Sequence, residues 1–327
     1  MAKRYCVTGA AGFIGANLVA RLKSEGHWVR AVDVKATPER AHLYEQADDF
    51  VHGTVGYRGL CGDLREGTTA MRVFADVDRV YHLAADHGGA GYFHGPEDFK
   101  AAENNLRIDQ NVRKAALQNG IERLFFASSA CTYPVDIQGE GARAVKESDW
   151  GGGPAEASYG EAKRMSTILF EHSREHGLDA RSGLFHTIYG PTQDTEEPRA
   201  KFPTAICRKV LDNPERVEVW GDGTQVRTFL YIEDALDRIQ AMMEQPYHGP
   251  TNLGSDERVT VQDCCEWVAE AAGVSPEWVH TDGPVGVAAR AADNTLWNSR
   301  YGEGDLTSAR DGFGKLYRWM ADQRVVA

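Results

Sequence analysis

Tyr159 and Lys163 stand in a Tyr-x-x-x-Lys arrangement, and on a helix that spacing places both side chains on one face. An ammonium beside a phenol lowers the phenol's pKa from about 10 toward neutrality, so the pair can take a proton from an alcohol. Ser128 and Ser129 end a predicted strand upstream, and Ser129 would complete a proton-transfer relay. Alone, a tyrosine and a lysine at this spacing read as a solvated helix face. A second feature, near the N-terminus, gives them chemistry.

There the first predicted strand runs into Gly9-Ala10-Ala11-Gly12-Phe13-Ile14-Gly15. Glycines at these places allow a tight turn and let backbone amides approach a pyrophosphate, whose charge is further stabilised by the N-terminus of the following helix. Asp33 ends the next strand, where a carboxylate accepts from ribose hydroxyls and repels a 2'-phosphate. NAD is therefore the expected cofactor rather than NADP, with Lys35 as the nearby basic residue that argues the other way. Gly62-Asp63-Leu64 adds a carboxylate for the adenine amino group. With a nicotinamide to receive hydride, Tyr159 becomes the proton acceptor of an alcohol oxidation.

The elements that must hold these residues alternate. Residues 5–8, 28–34, 79–83 and 124–127 read as buried strands, and Ile14, Leu18 and Leu22 line one face of a helix that begins near Gly12. Further helices are predicted over 104–118 and 161–175. This pattern predicts an α/β fold, a Rossmann-type doubly wound parallel sheet. After Pro191 the order loosens, with Gly190-Pro191, Asn213-Pro214, Gly221-Asp222-Gly223 and Gly283-Pro284. We expect a smaller mixed α/β lobe there, closing over the carboxyl edge of the sheet where ligands of open α/β sheets bind. The expected division is 1–185 for the cofactor-binding domain, with 225–247 returning to it, and 186–224 plus 248–327 for the substrate lobe.

Composition narrows the partners. The 327 residues carry a formal net charge of -12 with 42% hydrophobic and 26% charged residues, and Lys and Arg do not cluster, so a nucleic-acid partner is not expected. No apolar run approaches the ~20 residues of a membrane helix. The chain passes from Met1 into Tyr5-Cys6-Val7 without the pattern of a secretory leader. Cys6, Cys61, Cys131, Cys207, Cys264 and Cys265 are scattered, without zinc-ligand spacing. A cytoplasmic protein with reduced thiols and no metal is expected. Cys6 and Cys61 read as small buried hydrophobes, Cys264, Cys265, Met242 and Met243 as core, and His82 and His186 as hydrogen-bonded structural histidines.

These residues carry a resemblance. Over essentially its whole length the sequence resembles the extended short-chain dehydrogenase/reductases, and within them the GDP-mannose 3,5-epimerases. Beyond the glycine loop and the Tyr-Lys pair, the likeness lies in His82-Leu83-Ala84-Ala85-Asp86-His87-Gly88-Gly89-Ala90-Gly91, Ser128-Ser129-Ala130-Cys131-Thr132-Tyr133-Pro134 and Phe202-Pro203-Thr204-Ala205-Ile206-Cys207-Arg208-Lys209. It continues in Trp220-Gly221-Asp222-Gly223-Thr224-Gln225-Val226-Arg227-Thr228-Phe229 and Gly283-Pro284-Val285-Gly286.

The resemblance implies transient oxidation of a nucleotide-sugar at C4, which acidifies the hydrogens on C3 and C5; an acid and a base on opposite ring faces then exchange those protons. It gives these roles to Cys131 and Lys201, puts Lys209, Arg227 and Arg290 on the diphosphate with Gln225 alongside, and lets the sugar approach Gly88. Ser129, Ala130 and Thr187 would line the sugar. A nucleotide-diphosphate hexose, GDP-mannose first, is the implied substrate, and a homodimer built on helices 104–118 and 161–175 the implied assembly. The chain departs from the epimerase pattern at His87 and Ala90, where methionines are usual, and at Thr187 in place of asparagine. A 4,6-dehydratase would need an Asp-Glu pair where this chain has Ala130-Cys131-Thr132. A 4-epimerase would need neither Cys131 nor Lys201, and a non-catalytic NAD-binding regulator would not need the relay.

Overall fold

The computed structural model describes residues 3–53, 61–88, 92, 95–195, 200–247, 249–283 and 287–326. Gly89, Ala90 and Gly91, and Pro284-Val285-Gly286, all within the segments that carry the resemblance, lie outside the described residues.

Seven parallel strands form the central sheet: β1 (Arg4–Thr8), β2 (Trp28–Asp33), β3 (Asp49–His52), β4 (Arg79–His82), β5 (Arg123–Ser129), β6 (Asp179–Phe185) and β7 (Thr251–Leu253). Their order across the sheet is β7-β6-β5-β4-β1-β2-β3. Sheets of this kind are covered on both faces, which is why β1 and β4 read as apolar runs rather than alternating ones; Cys6, Val7 and Val80 are fully buried. The order reverses between β1 and β4, paired in register from Tyr5↔Arg79 to Thr8↔His82, and the crevice beyond their carboxyl ends is where such sheets take a ligand.

Four helices position the site. Helix α1 (Phe13–Ser24) follows the glycine loop and buries Leu18 and Leu22 as the apolar spacing requires. Helices α2 (Asp98–Gln118) and α3 (Ala157–His172) pack side by side against the sheet. Helix α4 (Phe202–Asp212), which opens with a proline in its first turn, belongs to the second lobe. Both α2 and α3 begin earlier than the predicted 104 and 161. The start of α3 has no side-chain cap of its own; the Asp98 carboxylate at the head of α2 accepts the backbone amides of Ser158 at 2.8 Å and Tyr159 at 3.1 Å. A cap supplied from another helix leaves no local signal, so the sequence dated the helix late.

Outside the central sheet, residues Arg216–Trp220 pair with Glu277–Thr281, and Val226–Arg227 pair with Ala289–Arg290. The second pairing sets Arg227 directly beside Arg290. The expected return of the chain to the sheet ended at 247, whereas β7 at Thr251–Leu253 still belongs to it. That three-residue strand is too short to show periodicity.

Candidate active site

The loop that would hold a dinucleotide is built with no room for side chains. Gly9 has φ +71°, and a Cβ there would lie 2.7 Å from the Ala84 amide nitrogen; one on Gly15 would lie 2.1 Å from the Gly9 carbonyl oxygen. Gly12 begins α1 without a side-chain cap, so the first-turn amides of Phe13 and Ile14 can serve a phosphate. Asp33 stands beside this loop, accepting the Ala11 amide and the Lys35 amide at 3.0 Å each, and burial raises its carboxyl above the usual range. These features fit NAD.

Neither the steric role of Gly62 nor the buried position of Arg40 shows in the sequence. A Cβ on Gly62 would sit 1.8 Å from the Asp33 carbonyl oxygen, so only glycine lets that loop cross β2. Buried Arg40 donates to the Ala11 and Thr192 carbonyls and pairs with Asp194 at 2.8 Å, tying the glycine loop to the second lobe. The Asp63 carboxylate pairs with Arg65 at 2.7 Å, which holds it below the usual range. Leu64 beside it is core.

Tyr159 and Lys163 are both buried on one face of α3, and β5 delivers Ser129, whose hydroxyl hydrogen-bonds the phenol. Gly160 makes this approach possible, since a Cβ there would meet the Cys131 carbonyl oxygen at 2.4 Å. Burial drives the Tyr159 phenol well above its ordinary value, with the charges of Cys131 and Asp109 adding to it and only Ser129 opposing. Lys163 Nζ lies 3.6 Å from Asp109 Oδ2 and 4.6 Å from the centre of the Phe126 ring.

Asp109 is the hub of a buried chain that the sequence did not reveal. Its other oxygen meets His82 Nε2 at 2.9 Å, and His82 Nδ1 meets the Thr8 hydroxyl at 2.7 Å. Burial keeps His82 below its ordinary pKa; the neutral ring donates from Nε2 to Asp109 and accepts at Nδ1 from Thr8. His82 is thus hydrogen-bonded as expected, and its partner Asp109 also pairs with Lys163. Removing one charge from such a buried pair typically costs about 3–5 kcal/mol.

Cys131 follows Ser129 on a short 3-10 turn that also buries Ala130. Its amide donates to Ser129 Oγ at 3.1 Å, and Arg290 Nη1 approaches its Sγ at 3.5 Å. Arg290 is further held by Gln138 Oε1 at 2.8 Å and Glu156 at 2.6 Å. Burial pushes the Cys131 thiol up; Arg290 pulls it down and Glu156 pushes it up again. Lys201 lies within electrostatic reach, its ammonium disfavoured by burial and favoured by Cys131 and then Asp194. Arg227, pushed down to about 10 by burial, feels Arg290 and Glu156. The structure therefore groups Ser129, Cys131, Tyr159, Lys201, Arg227 and Arg290, and adds Glu156 and Gln138.

Other expected residues stand differently. Lys209 donates to the Glu218 carbonyl at 2.9 Å and lies over the Trp220 ring, and Gln225 donates to Asp222 at 3.1 Å. Thr187 opens a short strand that pairs with Phe229–Tyr231. At Gly88 the close approach is to Tyr92, whose Cβ would lie 2.7 Å from an added methyl. Cys6, Cys264, Cys265, Met242 and Met243 are core, and His186 meets Asn252 Oδ1 at 3.1 Å. Cys61 is half-buried with its thiol 3.2 Å from Thr69 Oγ1. Among the described residues no group of three or more His, Cys, Asp or Glu could hold a metal, and no helix is long and apolar enough to cross a membrane.

A Rossmann sheet with a glycine-rich first turn and a buried Ser-Tyr-Lys relay defines an NAD-dependent enzyme of the short-chain dehydrogenase/reductase type. The model of the NAD dependent epimerase/dehydratase family matches residues 5–254, and the chain belongs to that family. It is 37% identical to GDP-mannose 3,5-epimerase 1 of Oryza sativa subsp. indica over 322 residues, covering 98% of this chain and 82% of the relative. It is 36% identical to GDP-mannose 3,5-epimerase of Arabidopsis thaliana, covering 97% and 82%. Among solved structures, MoeE5 in complex with UDP-glucuronic acid and NAD superposes with a TM-score of 0.81 at 26% identity, over 98% of this chain and 99% of that one.

Proposed function

We propose that the protein is an NAD-dependent nucleotide-sugar epimerase of the 3,5 type, that GDP-mannose is its substrate, and that Cys131 and Lys201 are its acid/base pair. The observation that carries this reading is the thiol at the end of β5, gathered with Tyr159, Lys201 and Arg290 in the place where a dehydratase would present carboxylates. Bound NAD supplies reversible acceptance of hydride from the sugar's C4. Tyr159, held by Ser129, takes and returns the C4 hydroxyl proton. With C4 a carbonyl, the hydrogens on C3 and C5 become acidic, and Cys131 and Lys201 exchange them on opposite faces of the ring. Burial has already lowered the proton affinity of Lys201, which suits an amine that must act near neutral pH. Arg227 and Arg290, register partners on adjacent strands, offer planar donors to the diphosphate, and Lys209 and Gln225 extend that surface.

The same reading makes residues 1–185 and 225–247 the cofactor domain, 186–224 and 248–327 the sugar lobe apart from β7, and the assembly a cytoplasmic homodimer. The dimer is supported by Phe99 on α2 and Met165 on α3, which are 67% and 51% exposed. The test is a panel of GDP- and UDP-hexoses incubated with enzyme and analysed by chromatography and mass spectrometry. Conversion of GDP-mannose to an isomer of equal mass is expected; conversion of only UDP-sugars, or loss of water from the substrate, would contradict the assignment.

A further inference from the structure

Glu156 precedes α3 and would ordinarily cap it, yet its side chain makes no cap hydrogen bond. Asp98 performs that task from α2, which leaves the Glu156 carboxylate to turn into the site. There it is 13% exposed and pairs with Arg290 at 2.6 Å, while the Cys131 thiol hydrogen-bonds to it. Its backbone is fixed to the same turn, because the Glu156 amide donates to the Cys131 carbonyl at 2.9 Å. Carboxylate, guanidinium and thiol thus form one compact cluster, with Gln138 on the outer side of Arg290.

We propose that Glu156 is a positioning residue for proton transfer at Cys131: it fixes Arg290 beside the thiol, retains the thiol proton, and so sets the pH range in which Cys131 releases it. The inference rests on the reading of Cys131 as an acid/base group only for its catalytic consequence. The groups that face the thiol are Arg290 from the lobe, Glu156 and Tyr159 from the start of α3, Ser129 from β5, and Lys201 from the head of α4. Arg290 and Lys201 are the cations of this set and favour the thiolate; Glu156 is the anion and opposes it. A carboxylate this far removed from water persists because Arg290 neutralises it, and the same Arg290 touches sulfur, so the two effects on the thiol are delivered by one hydrogen-bonded unit. The proton that leaves Sγ passes to water in the free enzyme and to the sugar carbon during turnover.

The test follows the rate at which iodoacetamide alkylates Cys131 in the NAD-loaded enzyme as a function of pH, read by mass spectrometry of the peptide containing that residue. Glu156→Gln removes the anion and is expected to lower the midpoint by about one pH unit, a roughly tenfold gain in thiolate below it. Arg290→Gln removes a cation and is expected to raise the midpoint, and Glu156→Asp, which keeps the charge, to restore most of the wild-type profile. A merely structural glutamate would change stability without moving the midpoint. Folded Glu156→Gln with an unmoved midpoint would overturn the inference, as would a lower midpoint in Arg290→Gln should Glu156→Gln fail to fold. Deuterium exchange into GDP-mannose, measured on the same samples, keeps the two readings apart. A shifted midpoint with exchange indifferent to Cys131 supports the inference and refutes the acid/base assignment; an unmoved midpoint with exchange abolished in Cys131→Ala does the reverse.

Discussion

Residue by residue, the proposed function divides the site into groups that would carry charge in binding and groups that would move protons, and each kind makes its own prediction. Asp33 borders the glycine loop and receives two backbone amides, leaving its charge against any 2'-phosphate. Wild-type enzyme is expected to bind NAD at least tenfold more tightly than NADP, and Asp33→Ala to erase most of that difference, since a hydrogen bond to a charged group contributes about 1.5–3 kcal/mol. Isothermal titration with both cofactors decides it; equal affinities in the wild type would remove Asp33 from its role. Tyr159→Phe deletes one oxygen from a packed position and keeps the ring. Turnover should fall by about a hundredfold or more while GDP-mannose affinity changes little, and a variant retaining most of its turnover would assign the hydroxyl proton to another group. Tyr159 and Lys163 were legible because their four-residue spacing is local, and Ser129 because it ends an apolar run that reads as a strand. Asp109, Glu156 and Gln138 were not, because each acquires its role through a partner far along the chain.

At the scale of elements, strands and helices were readable where the chain itself supplies the signal and blurred where another element supplies it. The strands β1, β2, β4 and β5 fall within two residues of expectation because buried parallel strands are short apolar runs. Helix α3 starts earlier than its sequence suggests because its cap is Asp98 of α2, and the pairing of Asp63 with Arg65, two positions on, had no signal beyond the two charges. The junction of β6 and β7 gives a pH prediction. His186 follows β6, its amide donating to the Leu253 carbonyl and its ring meeting Asn252, and burial pushes its pKa down to about 4. The unfolded chain binds a proton near pH 6.5, so between about 6.5 and 4 the unfolded state carries more protons and stability declines as pH falls. Above that window His186 is neutral in both states and contributes no pH dependence. The loss attributable to it is about 3 kcal/mol. Thermal melts from pH 7 to pH 4 should therefore fall more steeply for wild type than for His186→Gln, which keeps a donor to Asn252 without the titration. Parallel curves would show that His186 does not carry this sensitivity.

For the whole molecule, the fold class and the cofactor were legible throughout, whereas the assembly rests on surfaces that a single chain leaves uncovered. Phe99 and Met165 project from α2 and α3, and a homodimer would bury both. Light scattering is expected to return twice the 36.0 kDa of the chain, with Phe99→Glu combined with Met165→Glu shifting the enzyme to single chains; a wild-type monomer would exclude the dimer. The central claim, that Cys131 and Lys201 exchange carbon-bound protons flanking a transient C4 carbonyl, concerns the complete NAD-loaded enzyme at work. Its most direct measurement is turnover of GDP-mannose in D2O, followed by mass spectrometry and proton NMR of the recovered nucleotide-sugars. The account predicts deuterium at C5, and at C3 where both centres are processed, with uptake suppressed in Cys131→Ala while its C4 oxidation, read as near-ultraviolet absorbance of reduced cofactor, persists. Product formed without deuterium at either carbon, or uptake unchanged in Cys131→Ala, would contradict it.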